Sequence, residues 1–357
     1  MRTVPIRTSK FYDVRIGSGL LKEVGRLLLE AHPKCTVVLV SDTTVDGLYG
    51  DIAAASLIEA GYQVERFSFP AGEQNKNIST LSKLLEFMGE KRVTRTDCIA
   101  ALGGGVTGDM AGFAAAVYLR GIPYVQLPTT LLSAVDSSVG GKTAIDLAAG
   151  KNLAGAFYQP TLVLCDTDAL KTLPEEVFRD GLAECIKYGV IWDAELFHKF
   201  SGPLSGEALE EIIARCVWIK GEVVREDEFE LGIRRLLNFG HTAGHAVETC
   251  SGYSIPHGHA VAIGMAIIAR AAYQRGLCAK ACRDDIVNLI ARCNLPTQSP
   301  YPAAQLYEAA LADKKRKGGH IALIVPREIG RCEALEMPVE ELLPFLENGM
   351  EADACRQ

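Results

Sequence analysis

Cys98-Ile-Ala-Ala-Leu-Gly103-Gly-Gly-Val-Thr-Gly108-Asp109 sets an apolar run of strand length directly against a glycine-rich turn. Five apolar residues without polar alternation read as a strand buried on both faces. The turn fits G-x-G-x-x-G at Gly103, Gly105 and Gly108 and leads into a helical pattern from Met110 to Tyr118. Bare amides at such a helix start attract phosphate oxygens. The fit departs from the usual dinucleotide fingerprint, because the turn follows a late strand and no acidic residue closes a strand about twenty residues on. Asp42, ending an earlier strand, is placed to hold an adenosine ribose instead. A purely structural glycine turn is the other reading.

Outward from that stretch the same alternation repeats. Upstream stand Thr36-Val-Val-Leu-Val-Ser-Asp42, a helical segment, Gln63-Val-Glu-Arg-Phe-Ser-Phe69, the turn Pro70-Ala-Gly-Glu-Gln-Asn-Lys76 and a helical pattern from Leu81 to Met88. Downstream, Val125-Gln-Leu-Pro-Thr-Thr130 is a short strand ending in two hydroxyls, and Leu162-Val-Leu-Cys-Asp166 closes the sheet. Strand, helix, strand in succession predicts a parallel sheet with right-handed crossovers. Between the last two strands, Asp136-Ser-Ser-Val-Gly-Gly-Lys142-Thr143 imitates the tail of a P-loop, but Asp136 stands where that loop requires glycine. Lys142 and the Lys151-Asn152 pair read as fixed polar groups near a bound anion. Thr172-Leu-Pro-Glu175 has the form of a capping box with proline in the first turn and marks the boundary. The expected architecture is an α/β, Rossmann-like parallel-sheet domain over residues 1–172 and a mostly α-helical domain over 173–357.

The second half carries the ionisable chemistry. Asn238-Phe-Gly-His241-Thr-Ala-Gly-His245 and Pro256-His257-Gly-His259 gather four of the chain's seven histidines. On a helix from Gly240, His241 and His245 share a face at the spacing that lets two imidazoles reach one ion, with His257 arriving from the next element. Catalytic zinc usually keeps three His or carboxylate ligands and an open position. Glu184, in Gly181-Leu-Ala-Glu-Cys-Ile-Lys-Tyr, is the leading carboxylate. Histidines that cap helices and fill a polar core are the alternative. Asp180, Glu184 and Lys187 share a helix face, which an exposed ion-pair row would also explain. Lys220 falls within the apolar stripe of a helix from Leu209 to Val224, so it points into a polar cavity or snorkels. Arg234 and Asn238 lead into the histidine segment. Helices follow over 260–274, 284–293 and 303–312, then a strand pair near Ile321 to Val325. The run Lys314-Lys-Arg-Lys is a solvated loop or an anion clamp.

Composition narrows the function classes. A formal charge of −7 and a pI near 5.6 argue against a general nucleic-acid or membrane-surface role. The longest greasy run, Ala260 to Ala269, is too short to span a bilayer. Eleven cysteines, scattered, odd in number and without CxxC, fit reduced thiols in a cytoplasmic protein. A dinucleotide-type domain, a metal in the second domain and many cations point to metal-assisted oxidation of a phosphorylated polyol or sugar acid.

Gly103-Gly-Gly-Val-Thr-Gly-Asp-Met-Ala-Gly-Phe, Tyr118-Leu-Arg-Gly-Ile-Pro, Pro128-Thr-Thr-Leu-Leu, Asp136-Ser-Ser-Val-Gly-Gly-Lys-Thr, Gly150-Lys-Asn-Leu-Ala-Gly-Ala-Phe-Tyr-Gln-Pro, Ala183-Glu-Cys-Ile-Lys-Tyr-Gly and Leu237-Asn-Phe-Gly-His-Thr-Ala-Gly-His together resemble the 3-dehydroquinate synthase family, in order, from about Asp42 to Gly330. The resemblance implies conversion of 3-deoxy-D-arabino-heptulosonate 7-phosphate to 3-dehydroquinate and phosphate in the shikimate pathway, with NAD regenerated each turnover and Zn2+, or Co2+, bound. It implies metal ligands Glu184, His241 and His257, with His245 moved to the substrate phosphate. Substrate contacts fall on Lys142, Asn152, Lys187, Lys220, Arg234 and Asn238, with Asp136 and Glu230 in the site. Arg120, reaching across a homodimer, and a lysine of the Lys314-Lys315 pair complete the phosphate pocket. NAD contacts fall on Asp42, Glu73, Lys76, Gly104, Gly105, Val106, Asp109, Thr129, Thr130, Lys151 and Thr172, and Lys142 is expected to serve cofactor as well as substrate. The substrate's own phosphate is implied as base. His259, where this family more often has Glu, and Val177, where an acidic residue is common, depart from its pattern. A sister sugar phosphate cyclase and a metal-dependent polyol dehydrogenase are the competing readings.

Overall fold

A computed structural model of the chain describes residues 1–202, 204–230, 232–314 and 319–350, without the side chains of 312–314. The chain divides into two units, Met1–Pro174 with Ser205–Phe229, and Glu175–Leu204 with Glu230 onward.

The strands of the first unit are β1 (Arg2–Arg7), β2 (Phe11–Gly17), β3 (Thr36–Asp42), β4 (Gln63–Phe69), β5 (Cys98–Gly103), β6 (Tyr124–Pro128), β7 (Lys142–Leu147), β8 (Gly150–Phe157) and β9 (Leu162–Asp166). Seven form one sheet in the order β1-β2-β9-β6-β5-β3-β4, parallel throughout except for β1. Successive side chains of a strand face opposite sides. Val37, Leu39, Ala100, Leu102, Val125 and Leu127 join a core with Leu27, Leu28 and Leu57. Val38, Val40, Ile99, Ala101 and Tyr124 join another with Leu84, Met88, Met110 and Ala114. Two cores, one on each face, account for the unbroken apolar runs. From β3 on, the sheet strands run in space as second, first, third, fourth, fifth, the doubly wound order whose ligand crevice opens at the carboxyl ends of the first and third. Those ends are Asp42 on β3 and Gly103 on β5.

Three features differ from the sequence expectation. The Leu162–Asp166 strand does not close the sheet, because β2 pairs beyond it. The Lys142–Phe157 region is an antiparallel hairpin, β7 with β8, outside the main sheet. The Gly206–Glu226 helix groups with the first unit, where the expectation put it after residue 172. Its stripe lies against β1, so closely that a Cβ on Gly221 would stand 2.7 Å from Ile6 Cδ1.

Among the described residues the second unit is mainly helical, with helices Glu175–Ile191, Ala194–Lys199, His241–Cys250, His257–Gln274, Lys280–Arg292, Ala303–Lys314 and Leu342–Met350 and one antiparallel hairpin, β10 (His320–Glu328) with β11 (Arg331–Pro338). Gly240 caps the His241 helix at φ 79°, a backbone region glycine enters freely. Gly264 lets the next helix close in, since a Cβ there would meet Gly240 O at 2.0 Å. That close approach seats the two histidine-bearing helices against each other. Among the described residues, no helix is long and apolar enough to cross a membrane.

Candidate active site

The expected metal ligands come together in the second unit. Glu184 stands in the third turn of the Glu175–Ile191 helix and is 1% exposed. Its Oε1 lies 3.3 Å from His241 Nε2 and 3.5 Å from His257 Nε2. All three residues offer ligand atoms within 4.8 Å of one another. Each imidazole is anchored through its other nitrogen: His241 Nδ1 stands 3.1 Å from the Phe239 carbonyl, and His257 Nδ1 stands 3.4 Å from Glu248 Oε2. With Nδ1–H donating to an oxygen, each ring offers its Nε2 to an ion once that nitrogen carries no proton. Two acceptor nitrogens and a buried carboxylate fit a divalent cation of the zinc type.

Burial works against the Glu184 carboxylate, but Lys187, ion-paired with it, and His241 outweigh that and hold its pKa well below the usual range. Burial also opposes charge on His257, yet hydrogen bonds to Glu184 and Glu248 raise its pKa to about 10. Both directions describe a cluster in which protons and Lys187 compensate the carboxylates.

His245 is 47% exposed on its side chain and belongs to a different grouping, with Glu248 and His257. Its Nε2 lies 4.0 Å from Glu248 Oε2. His259 turns to Asp180 Oδ1, 3.0 Å from its Nδ1. Lys187 is 2% exposed, so the Asp180, Glu184, Lys187 face is no solvated row. Asn238 Nδ2 donates to Glu230 Oε1 at 3.2 Å, and Arg234 is buried. The Lys314 side chain and Lys315 to Lys317 lie outside the described residues. Val177 is exposed.

In the first unit, the sheet's carboxyl ends carry most of the expected cofactor residues. The Gly105–Val117 helix starts after Gly104, has no side-chain cap and so presents bare amides. Gly104 and Gly105 press against Thr130 and Ser137, each 3.2 Å from where a Cβ would stand, and Val106 follows on the first turn. Asp42 accepts from the Thr44 and Val45 amides through one oxygen. Thr129 is buried, and its Oγ1 has no hydrogen-bond partner among the described residues, an orphan that a bound ligand would satisfy. Thr130 exchanges hydrogen bonds with Ser133. Lys76 Nζ reaches Asp109 Oδ2 at 2.7 Å and Asn152 Oδ1 at 2.6 Å, with Glu73 at 3.9 Å. Burial lowers the Lys76 pKa, but Asp109, Glu73 and Asp146 win and raise it. Lys151 approaches Glu73 at 4.0 Å. Lys220 Nζ holds Asp136 through its carbonyl, 2.7 Å, and its Oδ1, 2.9 Å; the stripe lysine thus has a polar partner. Lys142 is exposed on β7. Arg120 is exposed at φ 68°. Thr172 does not cap the next helix: its hydroxyl bonds back to Ala169 O and meets Tyr49 Oη.

Glu248 escaped the sequence reading, although His241, His245 and Glu248 follow helical spacings of four and three on one face. That periodicity was the available signal. The Phe239 carbonyl could not have been found, since any residue offers one.

The family description "3-dehydroquinate synthase N-terminal" matches residues 66–180, and "3-dehydroquinate synthase C-terminal" matches 181–316. A 3-dehydroquinate synthase of Pelobacter propionicus is 48% identical over 340 residues, 93% of this chain and 95% of that protein. A 2-deoxy-scyllo-inosose synthase solved with carbaglucose-6-phosphate, NAD+ and Co2+ superposes with a TM-score of 0.87 at 27% identity, covering 96% of this chain and 98% of its own. The 2-epi-5-epi-valiolone synthase of Streptomyces hygroscopicus subsp. jinggangensis 5008, with NAD+ and Zn2+ bound, gives 0.86 at 30% identity, covering 97% and 99%. With both halves matched and close to half the residues identical over nearly the whole length, the chain belongs to the 3-dehydroquinate synthase family.

Proposed function

We propose that this chain converts 3-deoxy-D-arabino-heptulosonate 7-phosphate to 3-dehydroquinate and phosphate, using NAD and a zinc ion, for which cobalt can substitute. The observation that carries the reading is the convergence of Glu184 Oε1 with the Nε2 atoms of His241 and His257 in a chain 48% identical to a 3-dehydroquinate synthase. Bound to this chain, the metal supplies Lewis acidity toward a secondary alcohol and the dinucleotide a reversible two-electron acceptor.

The substrate's chemistry explains the need for both. A ketone at C5 acidifies the neighbouring C6–H, so phosphate leaves by elimination; restoring the alcohol, opening the ring and an intramolecular aldol close the carbocycle. The chain's own residues orient and compensate charge. Phe239 O and Glu248 hold the imidazole tautomers, and Lys187 keeps Glu184 ionised without water. Lys142, Asn152, Arg234 and Asn238 bind the substrate carboxylate, a set of cations and amides suited to a planar anion. His245, Arg120 and a lysine of the Lys314-Lys315 pair take the phosphate, which serves as the base, and Lys220, Asp136 and Glu230 contact the ring. Asp42, Glu73, Lys76, Gly104, Gly105, Val106, Asp109, Thr129, Thr130, Lys142, Lys151 and Thr172 hold the dinucleotide. The working form is a homodimer in the cytoplasm: Arg120 is displayed on the surface, and every described cysteine is a free thiol. We assign residues 1–172 to the NAD domain and 173–357 to the metal and substrate domain, apart from the Gly206–Glu226 helix.

The test is phosphate release from the heptulosonate, with glucose 6-phosphate and sedoheptulose 7-phosphate as alternatives and absorbance at the NADH band as control. Release from the heptulosonate alone, with no net NADH, is expected. Turnover of sedoheptulose 7-phosphate instead would mean a sister cyclase, and accumulating NADH would mean a polyol dehydrogenase.

A further inference from the structure

His259 sits two residues beyond His257, on the first turn of the same helix, yet it serves a different carboxylate. Asp180 Oδ1 lies 3.0 Å from His259 Nδ1 and also accepts the His259 backbone N–H at 3.0 Å. The His257–Gln274 helix has no side-chain cap of its own, because its N-cap is Pro256. Asp180 therefore supplies from a neighbouring helix what a capping residue supplies from within, an acceptor for a first-turn amide and a negative charge at the positive end. Gly258 presses the two helices together at the same point: a Cβ there would stand 1.9 Å from Asp180 O and 2.9 Å from Asp180 Oδ1. Asp180 lies one turn before Glu184 on the Glu175–Ile191 helix. The two helices that carry Glu184 and His257 are thus pinned within one turn of both residues.

A backbone amide alone would be satisfied by any residue at position 259. The ring adds a second hydrogen bond to the same oxygen, which fixes the rotamer of the carboxylate. Both side chains are 14% exposed, so water competes little for the contact. Metal sites tolerate ligand displacements of only about 0.2 Å.

We propose that Asp180 and His259 form a latch that sets the spacing of Glu184 and His257, and so tunes how tightly this chain holds its metal. The latch rests on the metal reading above, and both members are positioning residues.

The experiment measures the zinc dissociation constant by competition with a chromophoric chelator and records the visible spectrum of the Co2+-substituted protein. Parent, Asp180→Ala, Asp180→Asn, His259→Ala and the Asp180→Ala/His259→Ala double variant are compared. Asp180→Ala is expected to weaken zinc about tenfold, in the range seen when outer partners of metal ligands are removed, and to alter the cobalt bands. His259→Ala, which keeps the backbone donor, loses less than Asp180→Ala does. The double variant is no weaker than Asp180→Ala, because both partners act through one oxygen. Asp180→Asn preserves shape and an acceptor oxygen, folds as the parent does and falls between parent and Asp180→Ala. NAD affinity stays unchanged in all. A purely structural contact would lower the melting temperature and leave zinc affinity and the cobalt spectrum alone; that result, or additive losses in the double variant, overturns the latch. A parent protein that takes up no zinc overturns the metal reading and the latch with it, whereas normal uptake by the parent and unchanged variants sink the latch alone.

Discussion

The two units present their ligands with different chemistry. In the second unit the site is built from titratable side chains around one buried carboxylate. In the first, the sheet's carboxyl ends offer backbone amides, glycines and hydroxyls. Two buried lysines mark the contrast. Lys187 and Lys220 are 2% and 6% exposed, and each touches a carboxylate. The partner of Lys187 is Glu184, at 1% side-chain exposure and shared with two imidazoles; the partner of Lys220 is Asp136, at 26%. One carboxylate depends on its lysine, and the other can turn to water.

The largest effect separates two histidines one helical turn apart. His241→Ala removes a proposed ligand whose Nε2 faces Glu184, so metal content and activity are expected to vanish together, by more than about a thousandfold in turnover. His245→Ala keeps its metal and loses turnover. Metal analysis beside phosphate release reads both; equal metal loss in the two variants would break the ligand assignment. Next in size are the lysines. Lys187→Met in the zinc-free protein leaves Glu184 buried with one cation fewer and costs about 3 kcal/mol of stability. Lys220→Met costs under about 1.5 kcal/mol, spares NAD binding and still abolishes turnover. Urea unfolding of both decides the comparison, and equal losses would show that Asp136 is as dependent as Glu184.

The proposed metal group of the second unit carries a pH signature, set by His257. In the metal-free protein, hydrogen bonds to Glu184 and Glu248 outweigh burial and raise the His257 pKa to about 10. Because that value lies above the unfolded one, the protonated ring stabilises the metal-free fold fully below pH 6.5, and the contribution fades as pH rises through about 10. An ion reaches Nε2 only once the proton has left. Zinc uptake therefore releases about one proton per ion near neutrality, and affinity climbs about tenfold per pH unit until the folded pKa. Calorimetry in buffers of different ionisation enthalpy counts the protons, and pH-independent uptake would show that His257 is neutral beforehand.

How much of this was legible in the sequence divides along the same line. The parallel strands announced themselves, because a strand buried on both faces must be apolar throughout, as Val37 to Val40 and Ile99 to Leu102 are. β1 carries Arg2, Pro5 and Arg7 and pairs only at the sheet edge, where proline is tolerated, so its composition gave no such signal. The stripe on the Gly206–Glu226 helix showed that it is covered, not by what; Ile6 could be named only from the fold. In the site, the four-residue spacing placed His241 and His245 on one face, and both do project there, with ring centroids 5.4 Å apart. Spacing could not say which ring faces Glu184, since that depends on the entry of the His257 helix and the Phe239 carbonyl. The Thr172 capping box matched in letters and failed in space, because Ala169 and Tyr49 already hold that hydroxyl.

The smallest predicted effect tests the quieter half of the comparison. Thr129 Oγ1 is buried at the end of β6 without a partner among the described residues, and leaving such a group unmet costs about 1–3 kcal/mol. Thr129→Val keeps the shape and removes the polar atom. If the hydroxyl serves the dinucleotide, the variant binds NAD about threefold to tenfold more weakly, the worth of one neutral hydrogen bond, while the ligand-free protein gains stability. Zinc affinity stays at the parent value, because every atom of the metal group lies on the other unit. Fluorescence titration with NAD and thermal unfolding without it test both halves. A variant that gains stability yet binds NAD as the parent does would mean that Thr129 is an unfilled defect of the fold, and that the first unit grips its cofactor through the backbone amides after Gly104.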